Sequence, residues 1–310
     1  MRQISASQIW TACTAKAAAG NDGEDLGAEY TLDLLARFQL STAEMFKVFD
    51  YCKTKGITPL CTPWDAASLD ALERYGMPAY KVASADLTNH ELLEKLAKTG
   101  KPLLCSTGMS SESEIKDAIA LFKRKGAQFV LLHCNSTYPA PFKDVNLRYL
   151  HRLKELVTDG FVGYSGHERG ISVAISAVSL GARVIEKHFT LDRNMEGNDH
   201  RVSLLPAEFA QMVQGIRETE QALGTADIRK VTQGEMMNRE VLAKSLVASK
   251  AIKTGERIDA DVISSRSPGK GLPPYKKHEL VGKVANRDIA EGDFFYPSDL
   301  NFRRGESQSL

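Results

Sequence analysis

Between residues 57 and 191, short apolar runs alternate with longer stretches whose apolar positions recur at helical spacing. The runs are ITPLCTPW (57–64), AYKVASADL (79–87), KPLLCSTGM (101–109), QFVLLHCNSTYP (128–139), FVGYSGH (161–167) and RVIEKHFTL (183–191). Runs of this kind predict strands covered on both faces. The intervening SLDALERYG, HELLEKLAKTG, SESEIKDAIALFKRKG, LRYLHRLKELV and ISVAISAVSLGA predict helices. Several close on glycine, as helix C-termini commonly do, and Ser111 with Glu114 spells a capping box. Six β runs at intervals of roughly 20 to 30 residues form a β/α array, which makes either a TIM barrel or a doubly wound open sheet. The barrel is favoured, because polar residues end almost every run, whereas an open sheet gathers its site at one switch point.

The flanks depart from this rhythm. STAEMFKVFDYCKTKG (41–56) predicts a helix capped at Ser41 or Thr42, while residues 11–30, rich in Ala, Gly and acidic groups, predict a long loop. A closed (β/α)8 barrel needs eight strands and six runs occur, so within residues 1–223 either the α/β barrel is open or the chain lacks its first two strands. AEFAQMVQGIRETEQALG predicts one more helix, followed by a polar connector, residues 224–244. In the last segment, 245–310, SLVASKAIKTGERIDADVI is echoed by GKVANRDIAEGDFFYPSDL at an offset of 37 residues. Val247/Val284, Ala248/Ala285, Ile252/Ile289 and Gly255/Gly292 coincide, which predicts a small β-rich domain of two similar halves. Between the halves lies RSPGKGLPPY, a Pro/Gly-rich loop carrying Arg266.

Composition narrows the function classes. The 310 residues are 43% hydrophobic, enough for a large core and a small extra domain, and the formal charge of +1 supplies no field for nucleic acid or an acidic membrane. No stretch reaches the uninterrupted apolar length of a membrane span, and MRQISASQ lacks a signal peptide's apolar core, so a cytoplasmic protein is expected. Cys13, Cys52, Cys61, Cys105 and Cys134 have no CxxC spacing and read as free thiols rather than disulfides or zinc ligands.

The run ends supply Thr62, Lys81, Ser84, Ser106, Thr107, Ser136, Tyr138, Ser165, His167, Lys187 and His188, which a barrel would bring to one mouth. Hydroxyls and a lysine around backbone amides suit a phosphate-bearing ligand, although STGMSS is also an ordinary helix-cap sequence. His167 and His188 end neighbouring β runs, where two imidazoles can share a metal and leave its other positions to water and substrate; oxygen ligands would suit Mn or Mg. Lys81, and secondarily Lys187, is also a candidate Schiff-base lysine. The plainer reading of Lys187 is that it points outward, since it alternates with an inward His188.

KVASADLTN, LLCSTGMSS, LLHCNSTYPAP, VGYSGH, EKHFT and SPGKGLPP, in this order and spacing, resemble the sialic acid synthase family, which spans N-acetylneuraminate, legionaminic and pseudaminic acid synthases. The resemblance runs from about residue 40 to residue 301. It implies a TIM barrel joined to a C-terminal antifreeze-like (SAF) domain. The implied reaction condenses phosphoenolpyruvate with an N-acetylmannosamine-type sugar and releases phosphate. His167 and His188 match the family's metal ligands, normally for manganese; Lys81, Ser84, Thr62, Ser106 and Ser165 match positions that hold phosphoenolpyruvate. Tyr138, Asp199 and, more loosely, Ser136 match sugar contacts. Arg266 matches the arginine that one protomer lends to the other's site in a domain-swapped homodimer.

Family members begin with a strand bearing E-I-G-x-N-H-x-G and a second strand ending K-F-Q, and neither motif occurs here. MRQISASQI aligns with the tail of that second strand, with Gln3 at the family's glutamine and Met1 at its lysine. On this resemblance the first β/α unit and most of the second strand, N-terminal parts of the barrel that carry the family's glutamate and one phosphoenolpyruvate-binding lysine, are expected to be missing, and a catalytically silent binding or dimer-forming protein stands as the alternative to a synthase.

Overall fold

The computed structural model describes residues 37–158 and 160–300, so Gln3, Cys13, the loop expected over 11–30 and the strand tail at Met1 lie outside the described residues. The chain divides into two compact units after Gly224.

The first unit opens with α1 (Thr42–Thr54), and Ser41 caps it through a capping box with Glu44. Then α2 (Ala66–Tyr75) leads into a repeating series: β1 (Tyr80–Val82), α3 (His90–Lys98), β2 (Leu103–Ser106), α4 (Glu112–Lys125), β3 (Phe129–Cys134), α5 (Tyr149–Val157), β4 (Val162–Gly166), α6 (Ser172–Ser179) and β5 (Val184–Lys187), closed by α7 (Pro206–Leu223). The expected box of Ser111 and Glu114 starts α4, and Gly126 ends it in the left-handed conformation at φ 67°.

All five strands are parallel, and their order in the sheet is their order in the chain. A doubly wound sheet would reverse direction at a switch point; this one never does, so it is a TIM-type half-barrel. Among the described residues the first expected strand, 57–64, is reduced to one parallel bridge, Cys61 to Tyr80, beside β1. Pro59 and Pro63 flank that bridge and have no N–H to give a ladder.

Strand parity separates the two faces. Tyr80, Val82, Leu103, Cys105, Leu131, Val162 and Tyr164 are buried in one core with Leu93, Leu96, Ile115, Phe122, Leu150 and Leu153 from the helices. The alternate positions share the opposite, inner face, and register aligns them in rows: Lys81–Leu104–Val130, then Ser106–Leu132–Gly163–Val184, then Cys134–Ser165–Glu186.

In the second unit the polar connector contains a helix that its composition did not predict, α8 (Gln233–Leu242), started by a capping box of Thr232 and Glu235. β6 (Ser245–Ala248) pairs antiparallel with β7 (Ile263–Arg266), and a short α9 (Lys277–Leu280) follows. The repeat at offset 37 pairs with itself. Ile252 and Ile289 exchange main-chain hydrogen bonds of 2.8 and 2.9 Å. Gly255 N donates to Ala285 O at 2.8 Å, and the equivalent pair, Gly292 N to Ala248 O, has the same length. The bridges Arg257–Val284 and Val247–Phe294 are likewise equivalent. The unit thus has an internal pseudo-two-fold, and Leu246, Ile258, Leu280 and Phe295 lie fully buried in its core.

Gly163 shows how closely β4 and β5 approach. A Cβ there would stand 2.4 Å from Leu132 Cδ2 and 2.5 Å from the Val184 carbonyl oxygen, so backbone as well as side chain must move. Gly163→Ala is expected to lower unfolding free energy in urea by about 1–3 kcal/mol. Gly234→Ala on α8, where an added Cβ meets nothing within 4 Å, leaves it unchanged or slightly raised.

Candidate active site at the strand ends

The rows of the inner face continue past the ladder to His167 and His188, two residues beyond Ser165 and Glu186. Their ring centroids are 5.1 Å apart at 65°. The His167 Nδ1–H donates to the Asn135 carbonyl at 2.6 Å, which fixes the tautomer and turns the Nε2 lone pair away from that bond. His188 Nδ1 lies 3.5 Å from Asp199 Oδ2. The Tyr138 ring covers the pair, its centroid 4.1 Å from that of His167 and 5.7 Å from that of His188.

Below the imidazoles the face is polar and tightly packed. Ser84 Oγ accepts from Gly108 N at 3.1 Å and lies 3.5 Å from Cys134 Sγ, which is itself 3.7 Å from Ser136 Oγ. Gly108 lets these hydroxyls come close: a Cβ would stand 2.1 Å from Ser136 Oγ and 2.9 Å from Ser84 Oγ, so those side chains would have to turn away. Lys81 Nζ donates to its neighbour's carbonyl, Val82 O, at 2.7 Å and stands 3.6 Å from Glu186 Oε2. Ser165 is buried on β4, and Thr62 is half-buried beside the Cys61 bridge. Ser106 is 2% exposed, and its hydroxyl has no hydrogen-bond partner among the described residues. Thr107, by contrast, spends its hydroxyl on the Leu132 carbonyl at 3.1 Å and is structural.

Burial opposes charge on both His167 and Cys134. Their contact at 3.6 Å nonetheless raises the imidazole and lowers the thiol, helped by the Asn135 carbonyl on one side and by Ser84 and Ser136 on the other. Cys105, on the helix-facing side, has no such partner, and burial pushes it up to about 12.

Lys187 does face away from His188, but not into solvent. Its side chain is wholly buried against the equally buried Glu168, with Nζ 3.0 Å from Oε1 and donating to the Glu168 carbonyl at 2.6 Å. Burial lowers this ammonium's pKa, against the opposing pull of Glu168. An ammonium held by a carboxylate and a carbonyl has no lone pair for a Schiff base. Arg266 ends β7 in the second unit, where it is exposed.

Three participants escaped the sequence reading. Glu186 lies two residues before His188 and so shares its face, a signal present in EKHFT; the parity of the strand would have found it. Asn135 acts through its carbonyl and Glu168 through a partner distant in sequence, and neither leaves a local signature.

Among the described residues no group of three or more His, Cys, Asp or Glu gathers as a metal cage. The donor set that does form is two imidazoles, one held in a defined tautomer by a carbonyl and the other beside a carboxylate. Such a set fits a divalent ion whose remaining positions belong to water and substrate oxygens. No helix among the described residues is long and apolar enough to cross a membrane.

Comparison with known proteins places this geometry. Residues 3–228 match the model of the NeuB family, and residues 243–301 match the SAF domain. The chain is 38% identical over 271 residues to the N,N'-diacetyllegionaminic acid synthase of Campylobacter jejuni, covering 86% of this chain and 80% of that one. It is 37% identical over 244 residues to the human N-acetylneuraminate-9-phosphate synthase, covering 78% and 68%. Among solved structures, the N-acetylneuraminic acid synthetase of Leptospira borgpetersenii superposes with a TM-score of 0.64 at 34% identity, covering 71% of this chain and 77% of that one. The chain therefore belongs to the NeuB family, as an enzyme of the sialic acid synthase type that also carries a SAF domain.

Proposed function

We propose that this chain condenses phosphoenolpyruvate with the open-chain aldehyde of an N-acylated mannosamine-like sugar, giving a nine-carbon 2-keto acid and inorganic phosphate. The observation that carries the reading is the convergence of the His167–His188 pair, Lys81 and a set of hydroxyls on adjacent strand ends, in a relative of sialic and legionaminic acid synthases. In the reaction, C3 of phosphoenolpyruvate bonds to the aldehyde carbon, water adds at C2, and phosphate leaves.

Each side chain has a part that its surroundings permit. Ser106 offers a buried hydroxyl that makes no hydrogen bond among the described residues, and a phosphate or carboxylate oxygen accepting from it would relieve that cost. Lys81 brings the positive charge that an anion needs, with Glu186 close enough to take up or return a proton during turnover. Thr62, Ser84 and Ser165 complete the anion's hydrogen bonds. Tyr138 and Asp199, both exposed at the mouth, and Ser136 beneath them contact the sugar. His167 and His188 would hold the divalent ion, Mn²⁺ in this reading with Mg²⁺ as the alternative. When bound, that ion supplies the Lewis acidity that polarises the aldehyde oxygen. Arg266, exposed on β7, would enter the partner's site in a domain-swapped homodimer and close it against water. The compartment proposed is the cytoplasm, in keeping with the free thiols Cys52, Cys61, Cys105 and Cys134.

The purified chain is expected to release phosphate from phosphoenolpyruvate when given N-acetylmannosamine and Mn²⁺, and His188→Ala to lower that rate by about a hundredfold or more. Absence of release with this sugar and with its legionaminic and pseudaminic counterparts would remove the proposal.

Ser106→Ala separates binding from folding. It should raise the unfolding free energy by about 1 kcal/mol, because an unmet buried hydroxyl disappears, while raising KM for phosphoenolpyruvate about tenfold. A lower stability with unchanged KM would contradict the role given to this hydroxyl.

Two inactive variants test the swap. Mixing and reannealing Arg266→Ala with His188→Ala should restore about a quarter of wild-type activity, since half the dimers are hybrids and each hybrid has one intact site. No recovery would place Arg266 in its own protomer's site, and an Arg266→Ala variant that is active by itself would place it outside any site.

A further inference from the structure

Glu168 and Lys187 contribute nothing to the inner face, yet each is covalently next to one of its imidazoles: Glu168 follows His167 and Lys187 precedes His188. On the helix side of the sheet the two form a closed network. Lys187 Nζ is 3.0 Å from Glu168 Oε1 and 2.6 Å from the Glu168 main-chain carbonyl, and the Tyr164 hydroxyl donates to Oε2 at 2.5 Å. Both charged side chains have no exposed surface. Gly166 leaves the room for them, because a Cβ there would stand 2.6 Å and 3.0 Å from the two carboxylate oxygens and 2.7 Å from Tyr164 Cε1.

A buried ion pair is a poor device for stability, since desolvating two charges costs about as much as their attraction returns. What distinguishes this one is its location. The pairing of β4 with β5 runs from Gly163–Val184 to Gly166–Lys187 and stops there. His167 and His188 sit one step past its last pair. Other hydrogen bonds tie each of them to a different segment: Ala140 N donates to His167 O at 3.2 Å, and Leu204 N to His188 O at 2.8 Å. The Glu168–Lys187 pair instead joins the two strand ends to each other, just where the ladder ceases to do so.

The geometry points to Glu168, Lys187 and Tyr164 as positioning residues that set the separation of His167 and His188 and thereby the affinity of the pair for a divalent ion. This rests on the reading that the two imidazoles share one ion.

The test is a Mn²⁺ titration of the full chain, read from the paramagnetic resonance signal of free Mn²⁺, alongside urea unfolding of the same samples. The triple variant Tyr164→Phe, Glu168→Leu, Lys187→Met replaces the network with apolar groups of similar volume. It is expected to bind Mn²⁺ about tenfold more weakly or worse, with an unfolding midpoint at or above wild type. A folded triple variant with unchanged Mn²⁺ affinity would show the pair to be structural only and overturn the inference. Should the triple variant not fold, Tyr164→Phe alone decides: a smaller loss of affinity at an unchanged midpoint supports the inference, and no loss overturns it. His188→Ala separates the two layers. A wild-type chain that binds no Mn²⁺, or binding that survives His188→Ala, removes the shared-ion reading and this inference with it. Binding that His188→Ala abolishes but the triple variant leaves intact removes only the positioning role.

Discussion

In a strand every second side chain faces the same way, and the parallel register of this sheet keeps that parity from β1 to β5. Everything else in the first unit depends on it. One parity class, Tyr80, Leu103, Leu131, Val162 and their alternates, goes under the helices and supplies the core. The other class forms rows across the inner face. Because the strands are parallel, all the rows end at the same mouth, so side chains separated by more than a hundred residues of chain, such as Lys81 and Glu186, meet there. A slip of one residue would exchange the two classes and put Lys81, Ser106 and the histidines into the apolar core.

The same constraint explains why buried polar groups can persist. The helix-packed face tolerates the Tyr164–Glu168–Lys187 network because its charges are paired with each other and because Gly166 makes room for it. The inner face is looser: among the described residues the Ser106 hydroxyl makes no hydrogen bond, and Lys81 leans on a main-chain carbonyl with a carboxylate only at 3.6 Å. Incompletely satisfied groups are what a fold avoids in its core and places where a ligand is to be held. Gly108 contributes to this, since a Cβ there would displace the Ser84 and Ser136 hydroxyls that the loop after β2 approaches.

The second unit solves a different problem, that of burying a core in fewer than a hundred residues. Its two similar halves exchange main-chain hydrogen bonds across a pseudo-two-fold, so each half supplies the strand edge that the other lacks. Leu246 and Ile258 of the first half are thereby buried with Phe295 of the second.

The sequence by itself determined the helices, whose caps and spacing are local properties, as at Ser41 with Glu44 and Ser111 with Glu114. It also determined the β/α order, the internal repeat and the candidate residues at the strand ends, because position relative to an apolar run can be read without knowing what packs against it. It overstated the run at 57–64, where Pro59 and Pro63 flank the single bridge found among the described residues, and it missed α8, whose polar composition hid a capped helix. Tertiary structure alone decided that Lys187 is locked to Glu168, that Glu186 stands by Lys81 and that the Ser106 hydroxyl is unmet among the described residues. Those are pairings between residues far apart in the chain, fixed by register and by which backbone can come close, and no local pattern of hydrophobic and polar positions encodes them.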